Sequence, residues 1–140
     1  MNDSPTDEQL AAALVGLSHR VLHLCTEVGR THRLSQQQVR LLCAIKANGN
    51  VGMSELGRQT LVEKSNLSNL VDRLEQRGLV IRAHDDGDRR VTHVVLTDEG
   101  DELAARSQSE LMARVTELAG KLPPEAQHLL TDAVGRMMAD

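Results

Sequence analysis

The sequence predicts a mainly α chain with one small β-hairpin past its midpoint. Three observations carry this. Apolar residues recur at helical spacing over most of the 140 residues. Capping residues punctuate those stretches. A β-branched run, "VTHVVL" at 91–96, follows a turn rich in Asp and Gly. Phe, Trp and Tyr are absent, so the core must be built from Leu, Val, Ile, Met and Ala, which suits helices.

The first helix is predicted over residues 8–32. Leu10, Leu14, Leu17, Val21, Leu24 and Val28 form a heptad-like seam. Val15, Leu22 and Cys25 widen the apolar arc beyond what one packing partner needs, so Leu10, Leu14, Leu17, Val21 and Leu24 are candidates for contact with a second subunit. A core helix with no second subunit would also explain the seam. The second helix opens at Ser35, where "SQQQ" places Gln38 at N3 of a capping box and Leu34 and Val39 fit a hydrophobic staple. "NGN" at 48–50 ends it. "MSELGRQT" at 53–60 is a short third helix, and residues 63–77 form a fourth, closed by Gly78. "LVIRAH" extends, "DDGDRR" turns, and "VTHVVL" returns. Thr97 caps a long fifth helix with Asp98 and Glu99 in its first turn. "PP" at 123–124 breaks the chain, with Pro124 at N1 of a last helix ending near Met138.

Length and composition bound the function. The chain is about one domain long. No apolar run is long enough to span a membrane, and the acidic, polar start "MNDSPTDEQL" is unlike a secretory signal, so a cytoplasmic protein is expected. Without aromatic rings there is no base-stacking platform for single strands. The net charge of −4 excludes a generally basic coat but not a local one. Residues 54–96 hold seven basic and seven acidic side chains, so the excess negative charge lies outside that segment. No Gly-rich phosphate loop, nucleophile elbow or H-E-x-x-H occurs; no enzyme, cofactor or metal site is expected.

The fourth helix carries the chemistry. Leu67, Leu70, Val71 and Leu74 share one face. The other side presents Lys64, Ser65, Asn66, Ser68 and Asn69 early on, with Arg73 on a flank. Asn pairs in bidentate fashion with adenine, and Ser is a flexible partner for bases or phosphates. A helix that reads the major groove presents such groups from its first turns. With the short helix before it, this makes a helix-turn-helix; the hairpin that follows makes it winged. Asp88, Arg89 and Arg90 sit at the hairpin tip. Arginine there suits a narrow minor groove, and Asp88 is placed to brace a neighbouring arginine. A plain surface hairpin with self-paired charges is the competing account of the tip.

"LSQQQVRLLCAI" at 34–45, "MSELGRQTLVEKSNLSNLVDRLEQRGLVIR" at 53–82 and "DGDRRVTHVVLTDEG" at 86–100 resemble the MarR (multiple antibiotic resistance regulator) family of bacterial transcription factors, over nearly the whole chain and in the right order. The resemblance implies a homodimer joined through its terminal helices and a winged helix-turn-helix lobe on each half of a pseudo-palindromic operator, usually in repression. It implies residues 35–96 as the DNA-binding lobe and residues 1–34 and 97–140 as the dimerisation region of one compact chain. Asp88 and Arg90 match the family's Asp-x-Arg wing motif, and Lys64 to Asn69 match the reading end of its recognition helix. Leu61 departs from the pattern, standing where relatives often have Gly.

Members of the family often respond to a small anion, phenol, oxidant or metal. The candidate effector pocket is His19, Arg20, His23 and Arg40, for a small organic anion or phenol. His19 and His23 at i, i+4 are a weaker zinc candidate without an evident third ligand. Cys25 and Cys43 are read first as small core residues, with oxidant sensing as an alternative. A helical protein-interaction module would explain the first helix and leave the wing and the Asn/Ser face without a role.

Overall fold

The structure, a computed structural model, describes residues 4–85 and 87–139, and of residues 85 and 88–91 the backbone alone. Helices α1 (Asp7–Thr31) and α2 (Gln36–Asn48) lead into strand β1 (Asn50–Gly52). Then come α3 (Met53–Thr60), α4 (Lys64–Gln76), strands β2 (Val80–Asp85) and β3 (Asp88–Leu96), α5 (Asp98–Ala119) and α6 (Pro124–Met138).

Local chemistry sets the boundaries where expected. Ser35 accepts from Gln38 N–H at 3.1 Å while the Gln38 side chain accepts from Ser35 N–H at 2.9 Å, which satisfies two free donors at the start of α2. A second capping box, Thr6 with Gln9, starts α1. Thr97 Oγ1 accepts from Gly100 N–H at 3.0 Å and donates to the Gly78 carbonyl at 2.6 Å, so one side chain starts α5 and fastens it to the end of α4.

The sheet has three strands in the order β1-β3-β2, antiparallel throughout. The expected hairpin is β2 and β3, and β1 adds a third strand that was not expected. The sequence suggests only a helix-ending turn at Asn50, yet Asn50–Gly52 pairs with Val95, Val94 and His93. Three residues with one buried side chain, Val51, are too short for any periodicity to show. The strands also reach nearer the tip than expected: β2 runs to Asp85 and β3 begins at Asp88, with a register shift between His84 and Asp85.

The core gathers Leu41, Leu42 and Ile45 of α2, Leu56 of α3, Leu67, Leu70, Val71 and Leu74 of α4, Leu79, Val80 and Val94 of the sheet, and Ala104 of α5. The two chain ends differ. α6 buries no residue, and Leu129, Leu130, Val134, Met137 and Met138 are exposed, as are Leu10, Val15 and Leu17 of α1. Leu14 and Val21 of the seam are half-buried. Leu24 departs from the seam reading: at 7% exposure it is closed inside the chain. The C-terminal half of α1 packs on α5, to which Glu27 is tied by Arg114 at 2.6 Å.

Candidate nucleic-acid interface

Helix α4 is held from beneath. Its four core residues are almost completely buried, while Lys64, Ser65, Asn66, Ser68, Asn69 and Arg73 are all exposed. All six reading-helix candidates therefore share one outward surface. The N-cap, Glu63, makes no side-chain cap bond, so its carboxylate satisfies none of the first-turn N–H groups. Asn66 Nδ2 donates weakly to Gln37 Oε1 on α2 at 3.4 Å, which brings Gln37 to the same surface.

Arg82 of β2 braces this helix. Its Nη1 lies 2.6 Å from Asp72 Oδ1 and 3.2 Å from Glu75 Oε1, and its Nη2 donates to the Ser68 carbonyl at 3.1 Å. One guanidinium therefore spans two turns of α4 from the adjoining strand, the multidentate use for which arginine is suited. Sequence reading missed it. The available signal was a lone charge inside an apolar strand, facing acidic residues at i, i+3 on the preceding helix. Between α3, α4 and the sheet lies a groove of about 910 Å³ lined by Met53, Ser54, Lys64, Ser68, Arg82 and His84 among others. On its α3 rim, hydrogen bonds from Arg58 and Gln59 hold the Glu55 carboxyl below the usual carboxylate range.

The wing candidates Asp88, Arg89 and Arg90 lie on the tip-proximal end of β3; their side chains lie outside the described residues.

The four effector candidates are not brought together. His23 Nε2 meets Glu27 Oε1 at 2.8 Å, and Arg114 Nη1 meets Glu27 Oε2 at 2.6 Å. Arg20, Leu24, Glu27, Arg114, Glu117 and Lys121 are among the residues around a cavity of about 210 Å³ between α1 and α5. Arg40 lies elsewhere, donating to the Thr60 carbonyl at the end of α3. The reason is angular. Arg40 acts on Cys25, and Cys25 is about 140° around α1 from Arg20 at about 100° per residue. His19 is exposed. Arg114 and Lys121, which complete the cationic side of the cavity, were not anticipated; they lie on α5 some ninety positions along the chain.

Burial pushes the Cys25 thiol up, with the Arg40 charge pulling it partly back; burial pushes Cys43 up as well, and Cys25 adds to it. Protonated thiols are poor nucleophiles. Among the described residues no group of three or more His, Cys, Asp or Glu side chains could hold a metal ion, and no helix is long and apolar enough to cross a membrane.

The MarR family model matches residues 34–92. The transcriptional regulator HosA of Escherichia coli O157:H7 is 31% identical over 105 residues, covering 75% of this chain and 78% of HosA. The chain belongs to the MarR family. The transcriptional repressor MdtR of Bacillus subtilis (strain 168) is 38% identical over 80 residues, 55% of this chain and about half, 52%, of MdtR. Among solved structures, a cysteine-to-serine mutant of MarR from E. coli complexed with operator DNA superposes with a TM-score of 0.81 at 21% identity, covering 93% of this chain and 94% of that one. NadR in complex with 4-hydroxyphenylacetate gives 0.80 at 23%, covering 98% and 97%. At such identities the superpositions establish the fold, a winged helix-turn-helix flanked by terminal helices. In this MarR-family transcriptional regulator, α3 and α4 are thus the helix-turn-helix, β2 and β3 the wing.

Proposed function

We propose that this regulator acts as a homodimer on a pseudo-palindromic duplex, as a repressor released by a small aromatic acid or phenol. The exposed Lys64–Asn69 surface of α4 carries the reading: short polar donors and acceptors on a helix anchored by four buried residues and braced by Arg82. Lys64, Ser65, Asn66, Ser68, Asn69 and Arg73 are assigned to the major groove and Asp88, Arg89 and Arg90 to the backbone or minor groove beside it. Residues 35–96 form the binding lobe; residues 1–34 and 97–140 form the dimer region. Leu10, Leu14, Leu17 and Val21 join the exposed face of α6 in that interface. The complexes of MarR with operator DNA and of NadR with 4-hydroxyphenylacetate support the partner classes by kinship. The effector is assigned to the α1–α5 cavity around Arg20, with His23 at its edge. A cytoplasmic setting is part of this reading, since the duplex it would bind lies there.

Selection of bound duplexes from a random pool tests this. The expected product is an inverted repeat bound by a dimer, with affinity falling steeply as salt rises. Recovery of no preferred duplex, together with soluble monomers that bind protein partners instead, would replace the reading with that of a helical interaction module.

A further inference from the structure

The corner between α1 and α2 is built rigidly. α1 closes with two nested hydrogen bonds, Leu34 N–H to the Gly29 carbonyl at 2.9 Å and Arg33 N–H to the Arg30 carbonyl at 3.4 Å. Between them Arg33 adopts the left-handed region at φ 58°. This is the Schellman closure, and it brings the chain so near the helix that a Cβ on Gly29 would overlap the Leu34 carbonyl oxygen. The Ser35–Gln38 capping box fixes the next helix at once.

Two carbonyls of this corner are taken by one side chain from α4. Arg77, the C-cap of the recognition helix, donates from Nη1 to the Arg33 carbonyl at 2.8 Å and from Nη2 to the His32 carbonyl at 3.1 Å. A cation at the negative end of the 25-residue α1 is electrostatically favoured, and a planar guanidinium engages two acceptors at once. On the opposite side of the corner the His32 ring, 12% exposed, places Nε2 at 3.2–3.3 Å from both carboxylate oxygens of Glu110 on α5. The ends of α1 and α4 and the middle of α5 therefore meet at one turn, α4 through the turn's carbonyls and α5 through the His32 ring.

The geometry points to Arg77 as a positioning residue that sets the angle between the recognition helix and the dimer-forming helices, and thereby the spacing of the two recognition helices in a dimer. This rests on the dimeric reading above. A dimer engages two half-sites together only when its reading helices are separated by about one turn of duplex, roughly 34–36 Å, or a multiple of it. Arg77 closes α4 at the end remote from Lys64, about 20 Å away along a helix rising about 1.5 Å per residue, and so reads no base itself. Leu67, Leu70, Val71 and Leu74 seat α4 within its own lobe. Arg77 fastens that lobe to the end of α1.

The test is a series of inverted-repeat duplexes whose central spacer grows or shrinks by one or two base pairs, together with a single half-site duplex. The wild-type protein should favour one spacing sharply. Arg77→Ala should lose about tenfold on that spacing, a normal size for coupling between sites, and much less on the others, so the profile flattens while half-site affinity holds. Arg77→Lys, which keeps the charge without the planar fork, should recover part of the preference. Equal loss on every duplex, half-site included, would overturn the inference, as would an unchanged profile. Should Arg77→Ala not fold, Arg77→Gln on the same series decides it: a flattened profile supports the role, a sharp one removes it. A wild-type profile with no preferred spacing would overturn the dimeric reading itself, and the inference with it; a sharp wild-type profile matched by equally sharp variants would overturn only the role of Arg77.

Discussion

Arg82 and Asp72 meet at 2.6 Å, with the Arg82 side chain 23% exposed, and their contact joins the wing to the recognition helix. The same guanidinium also reaches Glu75 and the Ser68 carbonyl. Partial burial and several acceptors set it apart from an isolated surface pair, which contributes about 0–1 kcal/mol. Charge-assisted bonds contribute about 1.5–3 kcal/mol each in favourable settings, and residual exposure discounts that. Arg82→Ala should therefore lower stability by about 1–2 kcal/mol and weaken operator binding, because α4 loses the bonds at Ser68 and Asp72 that tie it to β2. Denaturant unfolding at fixed protein concentration and duplex titration measure the two effects. Unchanged operator affinity would show that the wing and α4 are positioned independently.

Asn66→Ala and Asn69→Ala should change which sequence is preferred, each at a cost of about 1–3 kcal/mol on the best site and little on scrambled duplex. Arg90→Ala should weaken all duplexes alike and reduce the salt slope, since a groove-edge or phosphate contact carries little base information. Titrations of each variant against selected and scrambled duplexes at several salt concentrations separate the two classes. Arg90→Ala with wild-type affinity and slope would remove the wing from the interface.

Gly100 sits in the first turn of α5 where a Cβ would overlap the Leu79 carbonyl oxygen. That carbonyl also accepts from Thr97 N–H at 3.0 Å, so it has little freedom to move. Gly100→Ala should destabilise the protein by about 1–3 kcal/mol or more, as overpacking against backbone does. Gly16 in α1 has nothing within 4 Å of a built Cβ, so Gly16→Ala should gain up to about 1 kcal/mol from helix propensity. Paired urea unfolding curves test both signs. A neutral Gly100→Ala would mean that the end of α4 and the start of α5 separate easily.

Much of the candidate site was legible in sequence because the features that mark it are local. The Ser35–Gln38 box, the apolar face of α4 and the polar residues opposite it are all set by spacing within one helix. What stayed hidden depends on contacts between elements. Arg82 finds its partners ten and seven positions back on a different helix. Strand β1 exists only through its partner β3. Arg40 shares the expected polar character of Arg20, but helix α2 turns it toward Thr60. Leu24 follows the heptad spacing of Leu10 to Val21, and only the crossing of α5 decides that it lies inside.

Leu61 ends α3 in the left-handed region at φ 57°, ψ 33°, with 87% exposure. A side chain there costs about 1–2 kcal/mol, and glycine returns about 0.5–1 kcal/mol of that through its freer unfolded chain. Leu61→Gly should therefore stabilise by about 0.5–1 kcal/mol, whereas Leu61→Ala, which keeps a Cβ, should bring no such gain. Equal gains from both would place the effect in the exposed leucine side chain and not in the backbone.

The cavity between α1 and α5 supplies the last prediction. Its cations are Arg20, Arg114 and Lys121, and its carboxylates are Glu27 and Glu117. Glu27 is already shared by His23 and Arg114, and among the described residues Arg20 and Lys121 have no charged partner within salt-bridge distance. A small acid would complete the charge balance. The volume of about 210 Å³ is below the roughly 300–1,000 Å³ of drug-sized sites, which favours a small ligand such as a single-ring acid. Binding there should oppose operator binding only if the ligand prefers a dimer whose reading helices are misplaced. A coupling of about 1–3 kcal/mol would shift operator affinity about 5- to 150-fold, and operator must weaken the ligand by the same factor. Thermal-shift screening of benzoate- and phenol-class compounds, followed by operator titration with each hit, measures both directions. Arg20→Ala and Lys121→Ala should abolish the ligand-induced shift, and Arg40→Ala should retain it. A response lost in Arg40→Ala but kept in Arg20→Ala would move the site to the face of α1 that carries Cys25.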